Sequence, residues 1–216
     1  MNIPRKVPYL SYGQIGEISY NFLSEHGLEK QIPIDIESIL EFDLGMGIIP
    51  IPGFQQNHSV EGSLSIDTKT IYVDEYVFRA VETRYRFTLA HELGHLLLHK
   101  EFFEGTGVSS ILDWKRAYRA ISENSYFELE MQAYNFAGHL LVPSPHLRSR
   151  FTDFISESKS KFAEARRKGI VREITLSYFK NNSIYRLSKL FNVSPEVMEK
   201  RIDKDNLMAL IPSKSP

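Results

Sequence analysis

Two histidines and a glutamate stand close together in the stretch Phe87-Thr88-Leu89-Ala90-His91-Glu92-Leu93-Gly94-His95-Leu96-Leu97-Leu98-His99. His91 and His95 are four residues apart, so on a helix both imidazoles share one face, with Cβ atoms roughly 5–6 Å apart. Rings at that separation can close on one metal ion at about 2.0–2.1 Å. Glu92 follows the first histidine and projects beside the same point, where it can take a proton from a water polarised by the metal. The chemistry of this pattern is metal-assisted hydrolysis, with two ligands and one general base. Five residues are few enough to match by chance, and histidines on a helix flank are commonly just packed. The surrounding sequence has to decide.

A catalytic zinc takes three protein ligands and keeps one position for water. The chain has no cysteine, so disulfides and thiolate sites are excluded and any metal sits on His, Asp or Glu. His99 is eight residues past His91 and about 80° around the helix; it fits better as a cation at the helix C-terminus. Glu101 holds the place of the third histidine of the metzincin pattern, but the glycine that turns that chain is here Leu98. Glu130 and His139 lie on one further helical stretch, out of phase, so both do not face one ion. Glu130 has the better context, one turn above an apolar face. Glu128 competes with it from a different face, and residue types alone leave the two open.

Helical periodicity predicts the elements that position these groups. Helices are expected over Ser11–His26, where Ser11 and Gln14 form a capping box, over Asp35–Phe42, from about Glu82 to His99, and over Phe127–Val142. On the motif helix Phe87, Ala90, Leu93 and Leu97, with Leu96 beside them, form the expected buried side. The run Gly47–Pro52 reads as a sheet edge because of its prolines. Gly62–Ile66 and Thr70–Val73 flank Asp67-Thr68-Lys69 as a hairpin. A short helix within Ser109–Ile121, one or two surface helices over Ser144–Gly169, a helix–turn–helix over Ser183–Ile202 and a frayed tail from Pro212 complete the pattern. Ser194 is its N-cap and Pro195 its first helical residue. The expected fold class is α+β and zincin-like: mostly helical, with a small three-stranded, mainly antiparallel sheet before the His-Glu-x-x-His helix. Two regions are expected, 1–143 with the site and 144–216 as a helical extension packed on it.

The run Arg86–His99, followed by Glu130-x-x-Ala133-x-x-Phe136-Ala137-x-x-Leu140-Leu141-x-Pro143, resembles the ImmA/IrrE family of bacterial and phage metallopeptidases. The Gly62 strand pair with Ile71-Tyr72-Val73, and the later Leu187–Met198 segment, are similar too. The chain departs from the usual family pattern at Tyr134, Gly138 and Val142. The resemblance implies zinc held by His91, His95 and Glu130, and Glu92 as the catalytic base; manganese is the alternative metal. It also implies a substrate: a helix-turn-helix repressor cut at one site in a phage, mobile-element or stress-response circuit.

A net charge of −1 gives no electrostatic case for nucleic acid or anionic membrane. The N-terminus lacks an apolar signal core and no run of 18 apolar residues occurs, so the cytoplasm is the expected compartment. The alternative function is a DNA-binding regulator using Ser183–Ile202, or an idle protein-binding module on the zincin scaffold. Glu196, Glu199, Asp203 and Asp205 weigh against the DNA reading, since a recognition helix facing phosphates should be basic. Tyr134, His139 and His146 are candidates for an additional oxyanion donor. The oligomeric state is left open.

Overall fold

The computed structural model describes residues 7–65, 67–104 and 122–211, with the side chains of 101–104 left aside. The helix expected within 109–121, the side chain of Glu101 and the tail from 212 lie outside the described residues. The described chain forms two compact units, Met1–Lys30 with Asp35–Leu141, and Gln31–Ile34 with Val142–Pro216.

In the first unit, α1 (Tyr12–Glu25) begins at the expected capping box: the Gln14 amide donates to Ser11 Oγ at 3.3 Å, and the Ser11 amide to Gln14 Oε1 at 2.9 Å. Helix α2 (Ile36–Ser38), capped by Asp35, runs into a π turn over Ile39–Asp43. Strand β1 (Gly47–Ile51), α3 (Phe54–His58), β2 (Gly62–Leu64) and β3 (Thr70–Asp74) follow. The sheet order is β1-β3-β2. The expected hairpin of β2 and β3 is antiparallel, but β1 joins β3 in parallel, so the sheet is mixed rather than mainly antiparallel. The Gly47 amide donates to Lys69 O at 2.8 Å. By alternation Pro50 then turns its missing donor away from β3, which is how an edge strand tolerates proline. Leu64, Ile71 and Val73 bury their side chains, while Ile49 is exposed.

Asp74 ends β3 and starts α4 (Glu75–Ala80), which leads into α5 (Glu82–Glu104). Helix α6 (Glu123–Leu141) packs on α5, and α1 packs on α6. The core of this layer is Leu89 and Leu93 from α5 with Leu129, Ala133, Phe136 and Leu140 from α6, all with no exposed surface. The buried side of α5 is the expected one at Ala90 and Leu93, which have no exposed surface, but not throughout. Leu97 is 39% exposed, whereas Thr88, Glu92, His95 and His99 are buried. This helix is covered by β2 as well as α6, so its polar flank is enclosed along with its apolar one.

The second unit contains α7 (Ser144–Glu157), α8 (Lys159–Arg167), α9 (Arg172–Phe191) and α10 (Pro195–Lys204). Phe151, Phe154 and Phe162 surround the Phe179 ring at centroid distances of 5.7, 4.8 and 5.2 Å. Ser194 caps α10 and Pro195 opens it, as expected, after Asn192 turns the chain with φ 52°. Helix α9 begins at Arg172, eleven residues before the expected start of the helix–turn–helix.

Candidate metal centre

The site is built where α5 and α6 come closest. A Cβ on Gly94 would stand 3.2 Å from the Cα of Ala133 and 3.1 Å from the Phe136 ring, tighter than ordinary contact, so glycine at 94 eases this close approach. His91 and His95 flank Gly94 on α5, and Glu130 is one turn before Ala133 on α6. The crossing therefore carries the two imidazoles and the carboxylate to one point. His91 Nε2 lies 3.0 Å from His95 Nε2 and 3.2 Å from Glu130 Oε2, and His95 Nε2 lies 3.7 Å from Glu130 Oε1. These separations straddle the roughly 3.3 Å edge of a tetrahedron built on bonds of about 2.05 Å. The donor set His91, His95 and Glu130 thus fits a metal ion, and it is the only such group of three among the described residues.

Glu92 lies on the sheet side of α5. Its Oε2 accepts a hydrogen bond from the Leu64 amide of β2 at 2.9 Å. The contact is tight because residue 62 is glycine; a Cβ there would overlap the Thr88 methyl and come within 3.5 Å of the Glu92 Cγ. Burial pushes the Glu92 carboxyl up to about 7, against the opposing pull of the His91 imidazole and the Leu64 amide. At neutral pH this group can both take and return a proton. Burial holds the His95 imidazole well below its ordinary range. For His91, burial alone would do the same, but the Glu130 carboxylate and the Glu92 charge outweigh it and raise the value.

His99 is not a solvent-facing cation at a helix terminus. Helix α5 continues past it to Glu104, and the ring is 3% exposed. Burial pushes it down to about 4, so it is neutral at pH 7. Its Nδ1 meets His95 Nδ1 at 3.0 Å and its Nε2 meets Gln132 Oε1 at 3.1 Å. Sequence reasoning missed Gln132 altogether. The available signal was its position, a polar residue next to Ala133 on a stretch otherwise buried on that side.

The remaining candidates separate. His139 turns to the opposite side of α6, where its ring is 4.3 Å from that of Tyr12 and fills the space a Cβ on Gly16 would need. It is therefore not an oxyanion donor. His146 belongs to the second unit. Tyr134 is one turn past Glu130 and packs on Phe87, with ring centroids 4.9 Å apart; Phe87 is one turn before His91. Tyr126, one turn before Glu130, was not anticipated. Partial burial and the Glu130 charge both favour its protonated hydroxyl. Glu128 is absent from the donor cluster.

Among the described residues no helix is long and apolar enough to cross a membrane. The family model described as the IrrE N-terminal-like domain, a peptidase family, matches residues 43–203, which include the whole donor cluster. No curated protein matches the chain.

Proposed function

This chain belongs to the ImmA/IrrE family of peptidases, and we propose that it is a metal-dependent endopeptidase using zinc, with manganese as the alternative ion. The observation that carries the reading is the joint placement of His91, His95 and Glu130 at ligand separations with Glu92 alongside. His91 Nε2, His95 Nε2 and a Glu130 oxygen would hold the ion. When bound, the metal supplies a Lewis acid and brings the pKa of water to about 7.

The chain's own groups account for the proton traffic. The Leu64 amide fixes Glu92 Oε2, which leaves Oε1 to accept a proton from the attacking water and to deliver it to the departing amine. Tyr134, one turn past Glu130 on α6, is the residue we assign as donor to the developing oxyanion. β2 is the sheet edge nearest the site, so an extended substrate segment can add beside it through backbone hydrogen bonds.

The substrate class follows from the family resemblance: a helix-turn-helix repressor cut at one site in the cytoplasm. Direct binding to nucleic acid or membrane is not part of this reading. On α9 and α10 several basic side chains are already paired with carboxylates. Lys180 Nζ lies 2.8 Å from Asp203 and 3.2 Å from Glu199, and Lys200 Nζ lies 2.8 Å from Glu196.

The test is incubation of the zinc-loaded protein with a repressor encoded beside its gene, with and without chelator, followed by fragment masses. Two defined fragments, lost with chelator and with Glu92→Gln, support the reading. One zinc per chain with no cleavage of such repressors would leave a binding module instead.

A further inference from the structure

Three buried polar side chains, His95, His99 and Gln132, lead from the candidate metal site to the backbone carbonyl of Pro8, an exposed residue near the start of the described chain, and the polarity of the series can be worked out from that far end. The Pro8 carbonyl can only accept a hydrogen bond. It lies 2.9 Å from Gln132 Nε2, so the amide nitrogen of Gln132 must face it and the amide oxygen must face His99. Gln132 Oε1 then requires a proton on His99 Nε2, across 3.1 Å. A neutral imidazole carries one N–H, so His99 Nδ1 is an acceptor. It faces His95 Nδ1 at 3.0 Å, which places the His95 proton on Nδ1. The lone pair of His95 is thereby left on Nε2, the atom 3.0 Å from His91 Nε2 and 3.7 Å from Glu130.

Every hydrogen bond in the series points the same way, and the last one delivers the tautomer a metal ligand needs. Starting from the metal gives the same assignment, because a ligating Nε2 demands a proton on Nδ1. His95, His99 and Gln132 are 4%, 3% and 2% exposed, so water does not compete readily for these bonds. A polar series buried this deeply costs desolvation unless each member is satisfied.

We propose that His99 and Gln132 are positioning residues that hold His95 in the Nε2-ligating tautomer and ring orientation, with the Pro8 carbonyl setting the direction of the whole series. The inference rests on the reading of His91, His95 and Glu130 as a metal centre. In metal sites, partners of this kind support affinity by about 10–100-fold.

The test is zinc affinity by competition with a chromophoric chelator, together with the nitrogen-15 imidazole signals of His95 in the zinc-loaded protein and the melting temperature of the metal-free protein. His99→Phe fills the space without an acceptor and should weaken zinc binding about 10–100-fold. His99→Asn returns an acceptor at the δ position and should recover at least about tenfold of that loss. Gln132→Met, close in volume, should weaken binding and broaden the His95 Nδ1–H signal while the metal-free melting temperature moves little. It also serves as the deciding variant if His99→Phe does not fold. Zinc affinity unchanged in both His99→Phe and Gln132→Met, with wild type binding zinc normally, overturns the positioning role and leaves the metal centre intact. Wild-type protein that takes up no zinc overturns the metal centre, and this inference with it.

Discussion

Gly94 and Ala133 face each other across the crossing of α5 and α6, so closely that a Cβ on Gly94 would sit 3.2 Å from the Ala133 Cα and carbonyl oxygen. Both neighbouring atoms are backbone and cannot swing aside. Replacing Gly94 by alanine favours the helix by about 1 kcal/mol, but overpacking costs about 1–3 kcal/mol. Gly94→Ala should therefore lower stability slightly. Gly94→Leu should part the helices and weaken zinc binding about 10–100-fold. Chelator competition and thermal melts measure the two effects separately; a Gly94→Leu protein with native zinc affinity would show that the crossing does not set the site.

Gly62 does the same for the base. A side chain at 62 meets the Thr88 methyl, the Tyr72 carbonyl at 3.3 Å and the Glu92 side chain. Gly62→Val should lift β2 from α5, lengthen the bond from the Leu64 amide to Glu92, and reduce peptidase turnover about 10–100-fold with zinc still bound. Gly62→Ala should fall less, and Thr88→Ser in that background should restore part of the loss by removing the methyl. Steady-state rates and zinc stoichiometry on the same samples would check this.

The parts of this arrangement readable from sequence are the local ones. The α5 motif, the apolar stripe of α6, the β2–β3 hairpin and the caps at Ser11 and Ser194 are each encoded within a few residues of themselves. The parallel pairing of β1 was not readable, because its proline-broken run states an edge but not a direction. His99 was misread because its partners, His95 and Gln132, enclose it only after α6 packs on α5. Helices α3 and α4 are one or two turns long, too short for periodicity. The second is nonetheless signalled by Asp74, whose side chain caps its first turn.

Asp74 leads to a pH prediction. Its carboxylate accepts from the Gln55 amide at 3.0 Å and from the Tyr76 and Val77 amides at 3.0 and 3.3 Å. The Gln55 bond, with those of Val77 and Tyr76, holds its pKa below the ordinary 3.8 despite burial. As pH falls, the unfolded chain takes up this proton first, so stability present above about pH 4 is lost as pH drops through the folded-state value. Asp74→Asn should cost about 1–2 kcal/mol at pH 7, and the gap to wild type should narrow as pH falls below about 4 and through the lowered folded-state value. Denaturant midpoints across pH 3–7 give the curve. A gap independent of pH would show that the charge contributes nothing.

Metal removal should destabilise in proportion to affinity, because an ion bound only by the folded chain adds RT ln(1 + [L]/Kd). At about 100 Kd of free zinc the contribution is about 2.7 kcal/mol. The melting temperature should rise on adding zinc to metal-free wild type and stay nearly still in Glu130→Gln. An equal rise in that variant would remove Glu130 from the ligand set.

The donors His91, His95 and Glu130 contain no sulfur, and the chain has no cysteine anywhere. Thiolate centres are disarmed when peroxide or disulfide exchange oxidises a ligand. Imidazole and carboxylate ligands do not climb that oxidation ladder. Oxidation of a ligand thiol is therefore not a route by which this centre could lose an ion.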